Sequence, residues 1–324
     1  MSISLVTGAA GFIGSHLCEN LARNGERVRA FVHYNSRNDW GWLEKSDYGS
    51  QIEVMAGDLR DLDSVHHAVD GMEKVYHLGA LIGIPYSYES PLAYIRTNIE
   101  GTYNVLEAAR HVGVERVLII STSEVYGTAL YTPIDEKHPL QPQSPYSASK
   151  IGADNLALSY HLSFDLPVVI ARPFNTFGPR QSARAVIPTI ATQLLSGIRE
   201  ISLGNLSPRR DLTYVEDTVE AMRLIAMEKL FIGKVVNIGS QKDISVGDIF
   251  DKLCTLLKCQ ATIRSQPDRI RPEKSEVMHL LCDATLLRVT TGWQPRYSLD
   301  DGLERTVSWL KEHLAHYKPG TYNR

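Results

Sequence analysis

The chain has 324 residues, 43% of them hydrophobic and 22% charged, with 34 Lys plus Arg against 37 Asp plus Glu and a formal charge of −3. This ordinary globular usage excludes a disordered, collagenous or coiled-coil protein, and the length suggests about two domains or one lobed domain. No block of five like charges occurs and no apolar run nears the roughly 18 residues of a membrane span, so neither nucleic acid nor membrane is expected as a partner.

Ser4-Leu5-Val6 reads as a buried strand, followed by glycines and a helical pattern through Leu17 and Leu21 that stops at Gly25. Strands are expected at Arg27 to Val32, Ile52 to Val54, Lys74 to Leu78, Arg116 to Ile120 and Val168 to Ala171, with helices at Asn98 to His111 and Ser147 to Ser163. The alternation predicts an α/β fold, a Rossmann-type doubly wound parallel sheet. Beyond Arg172 prolines and glycines punctuate the chain and the rhythm weakens. Lys234 to Ile238 reads as one more strand, able to return to the first sheet, and Ser245 to Leu257 and Asp300 to Leu314 read as amphipathic helices. The expected organisation is a dinucleotide-binding domain over 1–172 plus about 233–242, with a smaller, interleaved α/β substrate lobe over 173–232 and 243–318. A ligand belongs in the crevice between them.

The opening MSISLVTGAAGFIG carries no basic leader or cleavage site, which points to a cytoplasmic protein. Cys18, Cys254, Cys259 and Cys282 form no CxxC pair and read as buried or incidental thiols. The histidines, His66-His67 included, lack ligand spacing, so no metal is expected.

Gly8-Ala9-Ala10-Gly11-Phe12-Ile13-Gly14 is a GxxGxxG loop between strand and helix, able to bring backbone N–H groups against a pyrophosphate. The second strand runs into Phe31-Val32-His33-Tyr34-Asn35-Ser36-Arg37, without the acid that bonds a ribose 2′-hydroxyl. Arg37 can pair with a 2′-phosphate or simply be a solvated loop residue; the missing acid tilts the reading from NAD toward NADP. Asp58, in Gly57-Asp58-Leu59, is placed to accept from the adenine amino group or to cap a helix, and Leu78-Gly79-Ala80 supplies small residues at a strand end. Tyr146 and Lys150 lie at i, i+4 on one helical face, where a lysine can lower a tyrosine's pKa and make the phenol a base. Thr122 joins them from a strand end.

These segments together (GAAGFIG, GDLRD, HLGA, TNIEGT, STSEVYG, YSASK, RPFNTFGPR and RRDLTYVED) resemble the extended short-chain dehydrogenase/reductases that act on nucleotide sugars, over nearly the whole chain and in the family's order. The resemblance implies catalytic roles for Thr122, Tyr146 and Lys150, and a tightly bound, recycled NAD(P)+ held by Gly8, Gly11, Phe12, Ile13, Gly14, His33, Arg37, Asp58, Leu59, Leu78, Gly79, Ala80 and Asn98, with Tyr146 and Lys150. It also implies a homodimer built from the helices near Asn98–His111 and Ser147–Ser163.

The reaction type turns on Ser123 and Glu124. A 4,6-dehydratase needs a base for the C5 proton of a 4-keto sugar, which Glu124 can supply, while Ser123 or Glu124 returns a proton to the departing C6 hydroxyl. Thr-Ser-Glu resembles the GDP-mannose 4,6-dehydratases, as do SLGNL, Arg209-Arg210-Asp211 and Arg271-Pro272. The blocks IGIPYSY, PIDEKHPLQPQSPYSASK and RPFNTFGPRQSARAVIPTI resemble the nucleotide-linked N-acetylglucosamine 4,6-dehydratases of legionaminic acid biosynthesis. Asn175, Arg184, Arg210 and Arg271 are then candidates for the nucleotide diphosphate, and Tyr86 and Ser87 for the sugar. The expected function is a nucleotide-sugar 4,6-dehydratase, a lyase acting on UDP- or GDP-N-acetylglucosamine. UDP-glucuronate decarboxylase and nucleotide-sugar 4-epimerase stay open as alternatives, and a non-catalytic dinucleotide sensor as the reading outside enzymes.

Overall fold

The computed structural model describes residues 2–319 and 321. The first half runs β1 (Ile3–Thr7), α1 (Phe12–Arg23), β2 (Arg27–His33), β3 (Ile52–Gly57), α2 (Leu62–Val69), β4 (Lys74–His77), the short helices α3 (Ile84–Glu89) and α4 (Pro91–Tyr94), α5 (Gly101–Val112), β5 (Arg116–Ile120), α6 (Pro145–Phe164) and β6 (Val168–Pro173). The second half continues with β7 (Asn175–Phe177), α7 (Val186–Leu195), β8 (Glu200–Leu203), β9 (Arg209–Tyr214), α8 (Val215–Met227), β10 (Val235–Ile238), β11 (Asp243–Ser245), α9 (Val246–Leu256), β12 (Thr262–Ser265), β13 (His279–Leu280), α10 (Thr285–Thr291) and α11 (Leu299–Glu312).

Seven strands form one parallel sheet in the order β10-β6-β5-β4-β1-β2-β3. Neighbouring side chains alternate between two cores: Val117 and Ile119 enter one and Leu118 and Ile120 the other. A sheet buried on both faces explains why these strands read as continuous apolar runs with no polar side. The strand order reverses between β1 and β4, which opens a crevice at their carboxyl ends. The fold is a Rossmann-type, doubly wound α/β fold, and the segment Lys234 to Ile238 does return to the first sheet, as β10 beside β6.

The later chain adds a small mixed sheet, in which β9 pairs with β7, β11 and β13, and a separate pair β12–β8. These strands are two to six residues long, too short to leave a period in the sequence. The expected helix from Asn98 differs in detail: Ile95–Glu100 is wound as a wider π turn before α5 begins. All four cysteines are free thiols. Among the described residues no helix is long and apolar enough to cross a membrane.

Leu118 is fully buried at the middle of the sheet. Leu118→Ala is expected to lower the unfolding free energy by about 2–5 kcal/mol, measured as a reduced urea midpoint with unchanged slope.

Candidate active site

The turn after β1 sets the geometry of one end of the cleft. Gly8 has φ +67°, and a Cβ there would sit 2.8 Å from the Cα and N of Gly79, so the ends of β1 and β4 close against each other. Thr7 Oγ1 fastens that joint by accepting from the N–H groups of Leu78 (3.1 Å) and Gly79 (3.0 Å). A Cβ on Gly14 would collide with the Gly8 carbonyl, which lets α1 start directly against the strand. Gly11 is different: it is exposed, caps α1 with extended backbone and no side-chain bond, and no acid occupies the first turn. The leading N–H groups of α1 therefore point to an anion, as a dinucleotide pyrophosphate requires, and these residues fit such a cofactor.

From this turn a cleft of about 1120 Å³ crosses the carboxyl ends of the strands. One end is lined by Gly8, Gly11, Phe12, Ile13, Gly14 and His33, followed by Leu78, Gly79 and Ala80. Thr122, Ser123, Glu124, Tyr146 and Lys150 stand in its middle, and Asn175, Arg184, Arg210 and Arg271 lie at the other end.

Thr122 caps the tight turn Ser123–Tyr126, its Oγ1 accepting from the Glu124 N–H at 3.2 Å. Tyr146, at the first turn of α6, is buried, and burial raises its phenol above the usual tyrosine range while a hydrogen bond with Thr122 and the nearby Glu124 charge pull in opposite directions. Lys150 Nζ donates to the Ile120 carbonyl at 2.6 Å, and burial lowers its pKa. The Lys150 ammonium is held by a backbone carbonyl, and burial is the largest influence on the Tyr146 phenol. His77, bonded to Thr7 (2.8 Å) and Thr102 (3.1 Å), is held neutral by burial and by the Lys150 charge, with its pKa lowered to about 3.

At the far end Arg210 and Arg271 share one carboxylate, Glu276, at 3.6 and 3.4 Å. Burial lowers the Arg210 pKa and the Glu124 charge opposes that shift, so the guanidinium sits in a dry site near the catalytic turn. Three cleft residues, Asn175, Arg180 and Gln181, each carry a buried polar atom without a protein partner, free to bond a ligand or a water.

Six expected site residues do not line the cleft. Arg37 lies on the exposed loop after β2. Asp58 forms an ion pair with Arg60, which holds its carboxyl down to about 2. Leu59 packs behind Gly79, and its carbonyl accepts from Asn104. Asn98 spends its amide on both backbone groups of Leu81 (2.8 and 2.9 Å) and on Ser149 (2.9 Å), bracing the cleft wall from behind. Ser87 is fully buried and donates to the Ile84 carbonyl at 2.6 Å, while the Tyr86 ring leans on Tyr94. Other residues escaped sequence reasoning. Trp42 lines the cleft from the loop after β2 and meets Trp309, His313 and His316. His316, Tyr317 and Lys318 line it too, with the Tyr317 hydroxyl donating to the Gln181 carbonyl at 2.7 Å. No local motif announces a wall whose parts are hundreds of residues apart.

The chain matches a family described as GDP-mannose 4,6 dehydratase over residues 5–306. It belongs to the extended short-chain dehydrogenase/reductase family of nucleotide-sugar dehydratases and epimerases. It is similar to the low-salt glycan biosynthesis protein Agl12 of Haloferax volcanii, at 33% identity over 94% of this chain and 97% of that protein. It is similar at 32% identity to a UDP-N-acetyl-alpha-D-glucosaminuronate decarboxylase of Bacillus cytotoxicus, over 95% and 97% of the two chains. Among solved structures, DesIV, a dTDP-glucose 4,6-dehydratase from Streptomyces venezuelae solved with NAD bound, superposes with a TM-score of 0.89 at 29% identity, covering 98% of this chain and 99% of that one.

Gly8→Ala forces a side chain into left-handed backbone and against Gly79. Calorimetric titration of the purified variant is expected to give at least about tenfold weaker dinucleotide binding than wild type, equivalent to roughly 1.4 kcal/mol.

Proposed function

We propose that this protein is a nucleotide-sugar 4,6-dehydratase that converts UDP- or GDP-N-acetylglucosamine to its 4-keto-6-deoxy product with a recycled NAD(P)+. The observation carrying the reading is the Glu124 carboxylate, lining the cleft two residues from Thr122 and close enough to Tyr146 to act on its charge. An epimerase, which only lets a 4-keto sugar turn and takes hydride back, has no duty for such an acid.

The glycine turn and the N-terminus of α1 hold the pyrophosphate of the cofactor, with His33 at its adenosine end. Arg37 stands outside the cleft lining, and DesIV was solved with NAD. A nicotinamide held in the cleft would supply the acceptor for hydride from sugar C4 and the donor that returns it to C6. Tyr146 takes the O4 proton with help from Thr122, and Lys150 stabilises the phenolate so formed. A ketone at C4 acidifies C5–H; Glu124 removes that proton, Ser123 or Glu124 protonates the C6 hydroxyl as it leaves, and as hydride returns to C6 a proton, balanced by the one Tyr146 took from O4, is returned to C5. The net change is loss of one water. Arg210 and Arg271 change partner from Glu276 to the diphosphate, and Asn175 supplies a further polar contact.

A second reading, decarboxylation of a nucleotide-linked hexuronate, has two supports. One is the Bacillus cytotoxicus relative; the other is Arg184, which lines the same cleft as Tyr146, with its guanidinium 3.1 Å from the position a Cβ on Gly83 would take, and is able to hold a sugar carboxylate. We further propose a cytoplasmic homodimer, serving legionaminic acid biosynthesis, that joins through α5 and α6, where Tyr103, Leu162 and Phe164 are exposed. The domain limits proposed are 1–172 with about 233–242, and 173–232 with 243–318.

Mass spectrometry after incubation with UDP- and GDP-N-acetylglucosamine and UDP-glucuronate, without added reductant, decides between these. Loss of one water from an N-acetylhexosamine is expected; loss of CO2 from the glucuronate establishes the decarboxylase instead. Glu124→Gln is expected to slow water loss by about 10²–10⁴-fold with substrate binding retained, and near-normal turnover removes Glu124 from its role.

A further inference from the structure

Beneath Lys150 lies a buried ionic cluster that the reaction described above does not use. Asp154 follows Lys150 by one turn of α6 and is 1% exposed. Its Oδ2 accepts from the Ser121 hydroxyl at 2.7 Å and from the Arg172 guanidinium at 2.9 and 3.2 Å. Its Oδ1 is buried without a hydrogen-bond partner. Arg172, on β6, is equally buried and also donates to the Tyr126 hydroxyl at 3.1 Å, which in turn donates to Asn237 on β10 at 2.7 Å.

Such a pair is expensive to bury, and hydrophobic residues of like volume often serve stability as well or better. Its position suggests another use. Ser121, which it grips, lies between Ile120, whose carbonyl holds Lys150, and Thr122, which touches Tyr146. We infer that Asp154 is a positioning residue for Lys150: clamped by Ser121 and Arg172, its carboxylate supplies the counter-charge that keeps the lysine ammonium in place below Tyr146. The inference rests on the proposed role of Lys150 in the reaction.

Every charged or titratable neighbour of Lys150 fits this assignment. From β4, His77 faces it as a neutral imidazole and offers no negative charge. From β5 only the Ile120 carbonyl reaches it. Arg172, on β6, is committed to Asp154 and Tyr126, and Glu124 acts on the Tyr146 phenol from the turn after β5. On α6 itself Tyr146 stays neutral, leaving Asp154 as the group that favours the ammonium against the burial that disfavours it. Removing the carboxylate therefore lowers the pH at which Lys150 loses its proton.

The test needs no substrate. Protein carrying ε-13C-lysine is titrated by NMR, with the Lys150 resonance assigned by its loss in Lys150→Arg. Asp154→Asn keeps the shape and removes the charge; the Lys150 midpoint is expected to fall by at least one pH unit, about a tenfold loss of proton affinity. Ser121→Ala removes one hydrogen bond but no charge and is expected to leave the midpoint in place. An unchanged midpoint in folded Asp154→Asn overturns the inference. If that variant does not fold, the double variant Asp154→Asn/Arg172→Gln is compared with Arg172→Gln alone, so that only the carboxylate differs, and the lower midpoint is expected in the double variant; an equal midpoint, or failure of both Asp154 variants to fold, which assigns the pair to stability alone, also overturns it. In turnover, the alkaline limb of kcat/KM is expected to move to lower pH in Asp154→Asn with little change in KM. If wild type turns over no nucleotide sugar, the proposed function fails, and the NMR midpoint still decides this inference.

Discussion

The chemistry of this protein depends on one joint, where α6 is fastened to the end of β5. Lys150 bonds the last carbonyl of that strand, Asn98 holds Ser149 from the neighbouring helix, and Asp154 grips Ser121 just beyond the strand. Three bonds along α6 set Tyr146 against Thr122 and fix both relative to the cleft. The strand cannot slide, since its side chains enter cores on both faces of the sheet. Precision at the phenol is thus inherited from packing far beneath it, as a positioned acid–base group requires.

Burial governs the electrostatics of the same region. It pushes the Tyr146 phenol up, the Lys150 ammonium down and the Arg210 guanidinium down. A dry site of this kind makes each charge sensitive to any partner that arrives. The two arginines on Glu276 illustrate it, since one carboxylate between two guanidinium groups leaves excess positive charge for a diphosphate. The positive oxidised nicotinamide arriving in the cleft favours the phenolate by the same reasoning.

Much of this was legible in the sequence. The buried parallel strands announce themselves because each is an unbroken apolar run, and the glycine turn because Gly8 and Gly14 admit no side chain without collision. The residues proposed for catalysis were readable as a group because they lie within two short segments, Ser121 to Glu124 and Tyr146 to Lys150, that line one cleft. Single residues in loops were less readable. Arg37, Asp58 and Ser87 carry suitable chemistry, but solvent, an adjacent arginine or a backbone carbonyl takes them instead. Glu276 and the wall built by Trp42 with His316 to Lys318 left no signal, because they meet only through the fold.

The proposed reaction needs a single cleft that holds a dinucleotide along β1, β2 and β4 and a nucleotide sugar along β7 and β9, with the sugar's C4 between Tyr146 and the nicotinamide. The decisive measurement is a crystal structure of the Tyr146→Phe variant with NAD+ and UDP-N-acetylglucosamine. It is expected to show a pyrophosphate on the N-terminus of α1 and a second diphosphate between Arg210 and Arg271, released from Glu276, with the sugar's C4 hydroxyl facing Thr122 and C5–H facing Glu124. A sugar bound with C5 turned away from Glu124, or a diphosphate held elsewhere while Arg210 and Arg271 remain on Glu276, would contradict the proposed reaction.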